Sequence, residues 1–212
     1  MDDRKRTERR RVLAAGALLT LLALDVVFGI LASRLLSGVG VPQERWQASA
    51  SDRALIDAFA LSFALLSIGT VAAWMTWQYS AHESLWQRAV PGLRRKPNVV
   101  GWWLLPIVGM FTAGFAVGEI VGVVPTPRWF SRRALRVLFA VWWFVTFVAT
   151  ASSGTIWDTG GPIAVEFSPK IASWFAVMAL LAFPLVWLLD RGVDRVLPWH
   201  EPVPGRSDAM AS

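Results

Sequence analysis

Residues 97–127 read PNVVGWWLLPIVGMFTAGFAVGEIVGVVPTP, and how this stretch meets a membrane decides the architecture of the whole chain. It carries no Asp, Glu, Lys or Arg from Pro97 to Gly118, and then meets Glu119. A lipid core about 30 Å thick takes about 20 helical residues to cross, at about 1.5 Å rise each. By length the stretch qualifies as a span. By chemistry it is interrupted. Pro106 lacks a backbone donor and its ring clashes with the preceding turn, so a break or kink is expected there, and Gly109 follows it. Two forms are open: a full span, or a broken segment that enters and returns to the same side.

Four further apolar runs surround it. The five segments lie at about 12–33, 54–79, 99–124, 135–157 and 171–190, within one membrane-embedded helical domain over 12–190. Residues 1–11 form a basic N-terminus, and 191–212 a polar, Pro-rich tail expected to be mostly disordered. Hydrophobic residues make up 55% of the chain, more than a soluble domain of 212 residues has interior to hide. The expected fold is therefore an all-α membrane protein. Arg4-Lys5-Arg6 and Arg9-Arg10-Arg11 before the first run imitate an export signal, but Asp25 interrupts that run and no clear small-residue cleavage site follows. The first run is expected to stay as an uncleaved helix. A kink is expected at Pro184 in the fifth.

The basic residues choose between the two forms, because cytoplasmic loops carry the excess of Lys and Arg. With five crossings, 11 of them fall on one side and 10 on the other, which is no bias. With a re-entrant or half-inserted third segment, 17 fall on one side and 4 on the other. The bias and the Pro106 break agree. The expectation is a bundle of four spanning helices plus one broken, re-entrant or half-inserted segment, with five full spans as the alternative. Both termini are then cytoplasmic, at the cell (inner) membrane.

Composition narrows the chemistry. With no cysteine there is no disulfide framework, thiolate metal site or thiol nucleophile. The net charge of +6 reads as basic flanks of membrane spans and not as a nucleic-acid surface. His82-Glu83 begins a zinc-protease pattern, but Trp86 stands where the second histidine is needed. There is no Gly-x-Ser-x-Gly elbow, nucleotide-binding motif or recognisable pair of catalytic carboxylates. No catalytic residue, metal ligand or cofactor is assigned.

Gly114, Gly118 and Gly122 recur at a spacing of four, a stripe that lets another helix approach closely, within the chain or between chains. Asp25 and Glu119 are the ionisable residues in membrane runs. A central Asp costs about 2.5–3.5 kcal/mol to insert, so such residues face a bundle interior, a cavity or a partner. Asp190, Arg191, Asp194 and Arg195 read as intrahelical pairs at a helix end. Most of the thirteen tryptophans, Trp77 among them, read as an interfacial belt, while Trp142 and Trp143 lie deeper and are expected to pack against helices or lipid.

The middle of the chain resembles the bacterial family called domain of unknown function 4328. The likeness rests on Trp77 and Tyr79 closing one helix, on Trp103 and Pro106 in a Trp-x-x-Pro element, and on the later Glu119. It covers roughly residues 55–190 and is sharpest from 74 to 120. Ser80, Ser84, Gly109 and Ala113 depart from the family's usual polar and proline positions. The resemblance implies a multi-pass membrane protein and no particular activity. Taken together, the residues favour a non-enzymatic scaffold, regulator or partner-binding protein. Its partners would be membrane lipids and another membrane protein or a second copy of the chain. The alternative is a small-solute or ion permease with Glu119 and Asp25 near its path.

Overall fold

In the computed structural model the described residues are 2–38, 50–88, 90, 93, 106–153 and 169–196. Each apolar run becomes a helix, since a backbone in lipid can satisfy its polar groups only internally. The five are α1 (Asp2–Gly38), α2 (Ala50–Gln87), α3 (Pro106–Val123), α4 (Arg132–Ser153) and α5 (Pro169–Arg195). There is no strand among the described residues. Arg4–Leu35, Asp57–Gln87 and Ala172–Arg195 are each long and apolar enough to cross a membrane, and Gly114–Val123 forms a shorter apolar helix.

Hydroxyls along these helices are returned to their own backbone. Thr20 donates to the Gly16 carbonyl, Thr76 to Ala72 and Thr146 to Trp142, at 2.8–2.9 Å. The Ser131 hydroxyl caps α4 by accepting from the Ala134 amide at 3.0 Å.

Helix directions follow from the contacts. Along α1, Glu8 meets Ser84 and Asp25 meets Thr70, so α2 runs antiparallel to α1. Arg11 meets Asp190 while Ser33 meets Ser173, so α5 is antiparallel to α1 as well. A Cβ on Gly114 would strike the Trp143 ring, and one on Gly118 would touch Phe139, so α3 and α4 are antiparallel neighbours. Glu119 of α3 reaches His82 near the end of α2, and Val124, just after α3, lies against Gly192 of α5. Helix α3 therefore runs parallel to α2 and α5. The start of α1 and the last turns of α2, α3 and α5 share one end of the bundle, together with the turn into α4.

Helices α1, α2, α4 and α5 alternate in direction, whereas α3 points the same way as the helix before it. Pro106 is the first residue of α3, where the missing N–H costs nothing. The part of the expected segment before it, 99–105, lies outside the described residues, as do Trp103 and the tail from 197. Helix α5 continues through Pro184. The basic N-terminus is helical from Asp2, continuous with α1.

The exterior is the apolar side. Leu61, Leu65 and Ile68, one stripe of α2, are each more than 60% exposed, while Arg11 is 1% exposed. Large apolar side chains outside and a guanidinium inside is the pattern of a chain solvated by lipid.

Candidate functional site

The polar residues gather where the four helix ends meet. Arg11 comes from the third turn of α1, late in the basic run, and its long side chain reaches inward. Its Nη1 donates to Asp190 Oδ1 at 2.5 Å and to the Asp190 carbonyl at 3.1 Å. Its Nη2 donates to Asp194, and its Nε and Nη2 to Glu8 Oε2 at 3.1 and 3.0 Å. One buried cation thus ties α1 to α5 through two carboxylates a turn apart.

Glu8 carries the network to α2. Its Oε1 accepts from Arg88 Nη2 and from the Ser84 hydroxyl, the latter at 3.2 Å. Arg88 Nη1 donates to the Val193 carbonyl at 2.6 Å and to that of Val196 at 3.3 Å. A cation on the last carbonyls of α5 satisfies otherwise orphan acceptors and complements the helix dipole. Trp77 is fully buried, and its indole N–H donates to Asp190 Oδ1 at 3.3 Å. The expected interfacial role for Trp77 is therefore corrected: it is a core side chain that helps to hold a carboxylate. The intrahelical pairing expected at the end of α5 is corrected too. Asp190 and Asp194 turn to Arg11, and Arg191 stacks over the Trp187 ring at 5.4 Å.

Beside this clasp, His82 Nε2 lies 3.4 Å from Glu119 Oε2, with His82 2% and Glu119 16% exposed. This contact ties α3 to α2. His82 Nδ1 is buried without a hydrogen-bond partner among the described residues. Among those residues no group of three His, Cys, Asp or Glu could hold a metal ion.

The other expected residues separate into three places. Gly114 and Gly118 face Trp143 and Phe139 of α4, so this part of the stripe packs within the chain. Gly122 is exposed, with nothing within 4 Å of the position a Cβ would take. Tyr79 is 41% exposed on the outside of α2. Asp25 stands apart from the charged end and accepts from the Thr70 hydroxyl at 2.8 Å. Counting 14 residues from Arg11 to Asp25, the two lie about 21 Å apart along α1. The structure does not bring Asp25 and Glu119 into one site.

Sequence reasoning missed Arg11, Glu8, Arg88 and His82. Arg11 sits among other arginines and Arg88 in a basic loop, so each was legible as an orientation signal and nothing more. Gly29 was missed as well: a Cβ there would lie 2.7 Å from the Ala172 carbonyl, so α1 and α5 approach closely at this point. The spacing of Ala172, Ala176 and Gly29 as small residues was its available signal.

Fold and site define an all-α membrane protein with a buried ionic clasp at one end of its bundle. No family model, curated protein or solved structure matches the chain.

Proposed function

We propose that this is a non-enzymatic, multi-pass protein of the inner membrane that acts as a scaffold or regulator by binding another membrane protein. Four helices cross, α3 belongs to a re-entrant element, and both termini are cytoplasmic. The observation that carries the reading is the Arg11 clasp. The charges of the clasp are committed to one another and to helix ends, so they hold architecture. The likeness of Trp77, Tyr79, Pro106 and Glu119 to the domain of unknown function 4328 family belongs to the same proposal.

Helix α3 supplies the binding element. Its Gly114 and Gly118 pack on α4, its Ala116, Val117, Ile120 and Val121 are buried in the core, His82–Glu119 ties it to α2, and the flank beside Gly118 carries Phe115, 60% exposed, and the open Gly122 one heptad on. Size exclusion and pull-down of the tagged full-length protein in mild detergent test this. Gly122→Leu is expected to dissolve the wild-type assembly while leaving the thermal melt unchanged. An unaltered profile overturns the proposal.

A permease is the second reading, favoured by Asp25 at a cavity wall. It needs Asp25 and Glu119 on one path. Trp74 and Trp142, stacked at 4.9 Å, stand between Asp25 and the end of the bundle that holds the Arg11 clasp. Solute flux in liposomes that Asp25→Asn abolishes would move the assignment to this reading.

A further inference from the structure

Helices α1, α2, α4 and α5 do not fill the space between them. They leave a cavity of about 220 Å³ whose walls include Leu22, Asp25, Thr70, Trp74, Trp142 and Met178. For scale, an apolar protein cavity of about 150 Å³ holds benzene. The cavity is thus suited to a ligand of about nine non-hydrogen atoms, scaled from that case.

Its walls are apolar except for a few hydroxyls and one acid. Asp25 Oδ2 accepts from Thr70 Oγ1 at 2.8 Å. An ionised carboxylate has about four acceptor positions, so a single hydroxyl leaves most of its capacity for something else. Trp74 and Trp142 form the neighbouring wall, with ring centroids 4.9 Å apart and planes 19° from parallel. Both indoles are buried, at 6% and 5% exposure, so the wall is held rigidly by the surrounding core.

A carboxylate beside indole rings in an apolar chamber is the chemistry that recognises an organic cation. The acid provides the charge, and the π-rich indole wall packs against the apolar body that carries it. A neutral or anionic ligand would leave the carboxylate with the Thr70 hydroxyl and no counter-charge, so that it must take up a proton to stay in place.

We propose that this cavity binds a small organic ammonium: a protonated amine on Asp25, with an apolar body against Trp74, Trp142 and Met178. The site is separate from the outward face of α3, so it stands or falls independently of partner binding.

The probes are phenethylammonium and its neutral counterpart propylbenzene, titrated calorimetrically into the full-length protein in nanodiscs at pH 7. Wild-type protein is expected to bind the ammonium at least tenfold more tightly than propylbenzene. Asp25→Asn, nearly isosteric, is expected to erase that preference while still admitting propylbenzene. Equal affinity of wild-type protein for the two probes, or no binding of either, overturns the proposal. So does an Asp25→Asn variant that keeps the ammonium preference. The wild-type comparison needs no variant and decides the matter even if the substituted chain fails to fold.

Discussion

Arg11 and Asp190 are 179 positions apart in sequence and 2.5 Å apart in the bundle, where a guanidinium at the start of the first helix holds a carboxylate near the end of the last. Around that contact Glu8, Asp194, Trp77 and Arg88 assemble, so α1 and α5 are fastened to each other and to α2.

Arg11→Met should strand Asp190 beside an apolar neighbour. Breaking one side of a buried pair costs about 3–5 kcal/mol. The expected result is a clearly lowered thermal midpoint in detergent, with much of the loss recovered in Arg11→Met/Asp190→Leu. A double-mutant cycle with no coupling would show that the pair holds nothing.

The direction of α3 predicts topology. A phosphatase reporter fused after Pro127 should be inactive, as should one at the N-terminus, because both lie at the clasp end. Periplasmic activity after Pro127 would exclude the re-entrant arrangement.

Two glycines should respond oppositely. Gly29→Ala drives a Cβ to 2.7 Å from a backbone carbonyl of α5, which cannot yield as a flexible side chain would. Overpacking of this kind costs about 1–3 kcal/mol. Gly122→Ala meets nothing within 4 Å and should leave the melt unchanged. Equal melts for the two variants would contradict the close α1–α5 contact.

The chain has no cysteine, so a single introduced thiol reports cleanly. A cysteine at Val121, which is 3% exposed, should react slowly with a maleimide. Adding Glu119→Ala removes the tie to His82 and should raise that rate several-fold. An unchanged rate would mean that the tie to His82 does not hold α3 in place.

The sequence by itself determined that this is a helical membrane protein. That is readable because it depends on local composition against a solvent of known thickness: apolar runs match the lipid core. Pro106 at the first position of α3 has a reason equally local, since the constraint lies within one residue's own ring. What only the tertiary structure decided is which polar groups meet. Arg11 looked like one more basic flank, Asp190 like half of an intrahelical pair, and Trp77 like an interfacial ring, until the rotation and depth of α1, α2 and α5 turned them toward one another. Rotation about a helix axis is set by packing such as Gly29 against Ala172, which no composition count contains. The Asp25 cavity is of the same kind, because its walls come from four separate helices and exist only once those helices have assembled.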